Sequence, residues 1–237
     1  MELNRLSWSS ANKETFFMHL KTLGNPEKET WARKILNTKL PLMAISTPKM
    51  KMLAKEMAQG NWFEFLNQHW YDCYESMAIY GMLVTKIEDF NLFTKYLEHY
   101  LMQVDNWALC DLLAFNITPS NALSYVQLAK RYLSSPYVFV RRTGVIIFLH
   151  MVIKQKQFLP QVFEMLDMLQ NEQEYYVNMA AAWVLCECFV QHKEETLAYL
   201  VQHKTNKFVV NKGIQKCRDS YRVTPADKEM LLEFKVK

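Results

Sequence analysis

Glycine and proline are scarce in this sequence, with 5 Gly and 7 Pro among 237 residues. Sandwiches and barrels need turn residues at every strand end, so a β-rich fold is excluded. Cysteine is equally uninformative as a framework. The five residues Cys73, Cys110, Cys186, Cys188 and Cys217 are odd in number and contain no CxxC pair or His partner at zinc spacing. They are expected to be reduced and buried, and no metal or other cofactor is expected. No run approaches the ~18 apolar residues of a membrane span, and the stretch from Asn4 to Glu14 is polar. A cytoplasmic, soluble protein without a signal peptide or membrane association is the resulting expectation. Glycine-rich phosphate loops and an HExxH zinc motif are absent as well, and the six His are scattered.

What the sequence does have is apolar bulk: half of its residues are hydrophobic. With Leu, Met, Lys, Glu and Ala recurring throughout, this is the composition of packed helices, and the fold class is all-α. The formal charge is only +4, from 28 basic residues spread along the chain. That balance permits nucleic acid without demanding it.

Helix starts are written as a hydroxyl residue followed by Pro at Thr47-Pro48, Thr118-Pro119, Ser135-Pro136 and Thr224-Pro225. Apolar residues then return every three or four positions, as in Met77, Tyr80, Gly81 and Val84. The spacing predicts thirteen helices, near 9–23, 27–40, 48–59, 73–85, 88–102, 105–116, 120–133, 136–153, 157–169, 173–190, 192–202, 205–220 and 225–235. No low-complexity linker divides them. Residues 1–237 are therefore read as a single domain, a superhelical solenoid of HEAT-like repeats with a concave groove, because helix pairs recur close to the ~40-residue period of such units. Glu75, Trp107, Arg142, Trp183 and Arg218 lie 32, 35, 41 and 35 residues apart. Each is placed to fall on the equivalent helix of successive repeats.

Trp107 and Asp111 are four residues apart, which sets an aromatic plane and a carboxylate on one helix face. The plain alternative is a core indole and an acid paired with a neighbouring Arg. Arg141 and Arg142 interrupt an apolar helix, where a guanidinium must find a carboxylate, water or a phosphate. A salt bridge to Asp111 or Glu75 and a phosphate clamp both satisfy that demand. Trp183 follows three alanines, Ala180 to Ala182, which either permit close helix packing or leave the indole room at a surface. Cys186 and Cys188 flank Glu187, and alternate positions on a helix point to different faces, which argues against a metal pair.

The order of these landmarks resembles the AlkD-type family of HEAT-like repeat DNA glycosylases across nearly the whole chain. The matching segments are Asn25-Pro26-Glu27-Lys28, the stretch from Lys39 to Pro48, WxxxD at Trp107 and Asp111, Arg142, and Ala182-Trp183-Val184-Leu185. The resemblance implies hydrolysis of the N-glycosidic bond of cationic alkylpurines, such as N3-methyladenine and N7-methylguanine, in duplex DNA. It gives Asp111 the part of catalytic carboxylate, Trp107 and Trp183 that of aromatic walls, and Arg142 that of phosphate contact. A carboxylate stabilises oxocarbenium character on the deoxyribose as the bond breaks. An indole face adds roughly 0.5–2 kcal/mol per cationic contact. Backbone contacts with DNA are expected from Arg141, Arg142, Lys49, Lys51, Lys204, Lys207, Lys212, Lys216 and Arg218, and a monomer is expected.

Four positions depart from the family pattern. Ile35 stands where Tyr is common, Ala44 where Gly is typical and Ala108 where Asp is common, and Cys110 adjoins Asp111. Two other functions accommodate these departures: a DNA-binding paralogue with little or no excision activity, and a HEAT-like protein scaffold without nucleic acid.

Overall fold

A computed structural model describes residues 2–154 and 156–237. Its described residues form α-helices and short 3-10 turns, without a strand, in two compact units, Met1–Asn116 and Ile117–Lys237.

The first unit holds α1 (Lys13–Leu23), α2 (Pro26–Leu36), α3 (Thr47–Met57), α4 (Trp62–Gln68), α5 (Tyr74–Val84), α6 (Phe90–Leu101) and α7 (Trp107–Asp111). All eleven residues of α5 are buried. It is the axis of the unit and packs against α3, α4, α6 and α7. The N-terminal end is closed by aromatic edges: Trp8 meets Phe16, Phe65 and Trp70 at centroid distances of 5.2, 5.1 and 6.0 Å.

The second unit holds α8 (Ala122–Leu133), α9 (Val138–Lys154), α10 (Leu159–Met168), α11 (Tyr175–Gln191), α12 (Lys193–Gln202), α13 (Lys207–Asp219) and α14 (Pro225–Met230). Here α11 lies between α9 and α13, while α8 and α10 pack on α9 and α12 packs on α11. Fully buried Ala180, Ala181 and Ala182 keep the surface of α11 low. Gly213 of α13 completes the approach, since a Cβ there would lie 2.7 Å from Leu185 Cδ2.

Helix positions follow the apolar spacing, with three physical corrections. The helix over Trp62–Gln68 has no hydroxyl–Pro start and was not expected. The second helix ends at Leu36 rather than residue 40, because Asn37 turns left-handed at φ 52°. After Asp111 the helical pattern gives way to extended chain, in which Leu113 and Phe115 are buried and Ala114 and Asn116 exposed, a period of two rather than 3.6. Of the four hydroxyl–Pro marks, Thr47-Pro48 and Thr224-Pro225 open helices. Thr118-Pro119 and Ser135-Pro136 form the turns just before α8 and α9. Glu75, Trp107, Arg142, Trp183 and Arg218 fall on α5, α7, α9, α11 and α13, which are alternate helices in the chain.

One close approach links the axis of the first unit to its last helix. The rings of Tyr80 and Tyr100 stack at 5.9 Å, and Tyr100 Oη donates to the carbonyl of Leu109 in α7 at 2.9 Å. A Cβ at Gly81 would lie 2.8 Å from Tyr100 Oη and 2.9 Å from Cζ. In Gly81→Ala the overpacking penalty of about 1–3 kcal/mol outweighs the roughly 1 kcal/mol gained in helix propensity. The urea midpoint of the variant is expected below that of the wild type, and an equal or higher midpoint would show that α5 and α6 have room to spare.

Candidate functional site

Five residues are too few for a helix to hold itself, so α7 depends on its anchors. The Asn106 side chain caps it, accepting from the N–H groups of Ala108 at 3.1 Å and Leu109 at 3.3 Å. Asn106 Nδ2 in turn donates to Asp105 Oδ1 at 2.8 Å. Asp105 also accepts from the Thr38 hydroxyl at 2.8 Å and the Lys39 N–H at 2.7 Å. The start of α7 is thereby tied to the chain leaving α2. Trp107 adds a second tie, its Nε1–H donating to the Ile35 carbonyl at 3.2 Å. With its edge engaged there, Trp107 is half-buried, and so is Asp111 one turn later.

The linker between α2 and α3 is held from below by Glu75, a fully buried carboxylate. Its Oε1 accepts from the N–H groups of Met43 at 3.0 Å and Ile45 at 3.3 Å, while Oε2 has no hydrogen-bond partner among the described residues. Burial pushes the Glu75 carboxyl upward, against the surrounding backbone N–H groups that pull it down. Between those two amides, Ala44 sits in the left-handed region at φ 55°. A pocket of about 320 Å³ opens beside this linker, with Trp31, Ile35, Leu42, Met50 and Tyr74 in its lining. The Tyr74 phenol is raised to about 12, first by burial and then by the charges of Glu75 and Asp111.

In the second unit the two adjacent arginines serve different partners. Arg141 is committed to Glu172, at 2.8 Å from Nε and 3.3 Å from Nη2, and to the Ser135 carbonyl at 2.9 Å. Arg142 is buried, 5% exposed, and donates to the Tyr176 carbonyl in the first turn of α11. Trp183 lies about 10 Å further along the axis of α11, at a rise of ~1.5 Å per residue. It is 36% exposed. Its Nε1–H donates to Glu187 Oε1 at 3.4 Å, and Glu187 is paired with Arg222.

The lysines divide by unit. Lys49 and Lys51 are exposed on α3, and Lys204 is exposed just after α12. Lys207 and Lys212 of α13 line an open depression of about 560 Å³ with Phe208, Asn211, Gln215 and Lys235. Lys216 is half-buried one turn beyond Lys212, and Arg218 faces Glu229 at 3.9 Å.

The sequence model of the DNA alkylation repair enzyme family matches residues 18–216, which include Trp107, Asp111, Arg142 and Trp183. The chain belongs to that family. No curated protein matches it. In this DNA alkylation repair family member, sequence reasoning overlooked Asn106, Asp105, Glu187 and Arg222. The signal for Glu187 was present, since it follows Trp183 at the interval by which Asp111 follows Trp107. All five cysteines are free and buried, and no helix among the described residues is long and apolar enough to cross a membrane.

Two measurements test the linker. A left-handed alanine is strained by roughly 1–2 kcal/mol, against about 0.4–1 kcal/mol of added unfolded-state entropy for glycine. Ala44→Gly is therefore expected to stabilise by about 0.5–1 kcal/mol in urea unfolding; a lower midpoint would mean that the turn is relaxed with alanine. For Glu75 the folded state holds its proton more tightly than the unfolded chain. Its contribution is thus fully present below the ordinary value of 4.5 and lost as pH rises through the folded value. Glu75→Gln, neutral throughout, should gain stability relative to wild type as pH is raised across that window. A constant difference between pH 4 and pH 8 would contradict the raised carboxyl.

Proposed function

We propose that this chain is a DNA repair glycosylase of HEAT-like helical repeats that hydrolyses the N-glycosidic bond of cationic alkylated purines, N3-methyladenine and N7-methylguanine, in duplex DNA. The observation that carries this reading is the last helix of the first unit. There an indole and a carboxylate share one face of α7, both half-buried, in a member of the DNA alkylation repair enzyme family.

Positive charge already makes a methylated purine a good leaving group, so the enzyme's task is the sugar. As the C1′–N bond lengthens, charge develops on the deoxyribose. Asp111 offers a compensating carboxylate and an acceptor that orients the attacking water, whose proton is released as the new C–O bond forms. Trp107 presents a π face to the cationic nucleotide, and its tie to Ile35 keeps that face from rotating. The family resemblance assigns Trp183 the part of an aromatic surface and Arg142 that of a phosphate contact, although Arg142 is 5% exposed and already donates to the Tyr176 carbonyl. Lys49, Lys51, Lys212 and Lys216 are proposed as backbone contacts. Arg141 and Arg218 belong to the same sequence expectation; Arg141 is supported less, because Glu172 occupies it, and Arg218 faces Glu229 at 3.9 Å.

Release of methylated base from alkylated duplex DNA tests the proposal directly. Wild type is expected to liberate both bases. Asp111→Asn should lower release on the order of 100-fold or more while leaving affinity for the duplex within about twofold. Undiminished release from Asp111→Asn would remove the carboxylate from the chemistry. Salt-sensitive binding without release by the wild type would favour a non-excising DNA-binding protein. Glycosylase and binder alike require log K to fall with log salt at ~0.9 per phosphate neutralised, which a protein scaffold would not show.

A further inference from the structure

Glu187 is a carboxylate in the middle of an apolar helix, 5% exposed between Cys186 and Cys188, both buried. A charge so placed must be paired. Arg222 supplies the pairing as a fork, with Nη1 on Oε2 at 3.0 Å and Nη2 on Oε1. Arg222 comes from the turn between α13 and α14, where its own N–H is held by the Ser220 hydroxyl at 3.2 Å. The third partner is the indole N–H of Trp183 on Oε1, at 3.4 Å. Trp183, Glu187 and Arg222 thus form a chain in which the last ion pair fixes the carboxylate and the carboxylate fixes the indole edge.

The chemistry of that edge matters for the face. An indole whose N–H is drawn toward an anion carries more electron density in its ring, which deepens the negative π surface offered to a cation. Trp107 donates to a neutral carbonyl instead, that of Ile35. The two indoles are therefore unequal, and Trp183, with an exposed surface and a charged acceptor behind it, is the better cation receptor.

We infer that Glu187, clamped by Arg222, is a positioning residue that fixes the orientation and enriches the π face of Trp183 for contact with a cationic nucleotide. The inference rests on the glycosylase reading for its ligand and on the geometry of α11 for its mechanism. It assigns the selectivity for positive charge to a residue that itself touches no substrate.

Two readouts test it on the full chain. The first uses protein labelled with 5-fluorotryptophan, the Trp183 fluorine signal being assigned by its loss in Trp183→Phe. Glu187→Gln keeps an acceptor but removes the charge, and is expected to shift the Trp183 signal while the other five stay in place. Arg222→Lys, which keeps the charge but not the fork, should shift it less, and Glu187→Gln/Arg222→Gln supplies a charge-free pair should the single variant fold poorly. The second readout compares duplexes carrying either cationic N7-methylguanine on a 2′-fluoro sugar, which resists bond breaking, or a neutral 7-deaza-7-methyl isostere. Wild type should prefer the cationic duplex, and Glu187→Gln should lose roughly three- to tenfold of that preference with its affinity for the neutral duplex unchanged. If wild type releases bases and prefers the cation but Glu187→Gln does the same with an unmoved fluorine signal, the positioning inference falls and the glycosylase reading stands. If wild type neither releases bases nor distinguishes the duplexes, the glycosylase reading falls and the cationic ligand with it.

Discussion

The first unit depends on the capping of one short helix. A five-residue helix leaves nearly all of its N–H and carbonyl groups without intrahelical partners, and α7 meets this deficit from outside itself. Asn106 satisfies two N–H groups, Asp105 fastens Asn106 to the chain leaving α2, and Tyr100 satisfies the Leu109 carbonyl from α6. Removing any one of these loosens Trp107 and Asp111 together, because both ride on the same turn and a half of backbone. The rigidity of this turn comes from polar contacts, with the buried α5 beneath them as the fixed support.

The linker that α7 grips is itself held by Glu75. A fully buried carboxylate is an expensive way to satisfy the amides of Met43 and Ile45, and it leaves one oxygen without a hydrogen-bond partner among the described residues. It does, however, fix a turn that passes through a left-handed alanine. The resemblance to AlkD-type enzymes expected glycine at Ala44, and φ 55° supplies the physical reason for that expectation. This chain makes the turn with a Cβ present, at a position where glycine would be the residue best suited to it. Strain, the buried Glu75 carboxyl and the grip of Asp105 on residues 38 and 39 all converge on one stretch of irregular chain beside α7.

Most helices were legible because their apolar residues recur at the helical period. Even the alternation of α5, α7, α9, α11 and α13 could be read, from the spacing of one glutamate, two tryptophans and two arginines. What escaped were features set by contacts distant in sequence. The end of α2 is fixed by Asn37 and by Thr38 reaching Asp105, 67 residues away. Arg141 and Arg142 are neighbours of one type, so local pattern could not tell that Glu172 engages one while the other meets the Tyr176 carbonyl. The roles of Glu187 and Arg222, 35 residues apart, were hidden for the same reason. The extended run after Asp111 was misread because Leu113 and Phe115 supply enough apolar residues to continue a helix, though at the wrong period.

The chain carries two turns of the form Trp-x-x-x-acid, at Trp107–Asp111 and Trp183–Glu187, and spacing alone gives them equal claims to chemistry. Burial separates them. Glu187 is closed off at 5% exposure and held by a guanidinium fork on both oxygens, so it has little lone-pair capacity left for a water or a sugar. Asp111 is half-buried on a turn whose Ala108 and Leu109 N–H groups are met by the Asn106 cap. A carboxylate that must stabilise transient positive charge has to be reachable from solvent and held still without being neutralised beforehand. Of the two acids Asp111 meets the first of these conditions, whereas Glu187 is suited to act on its own tryptophan.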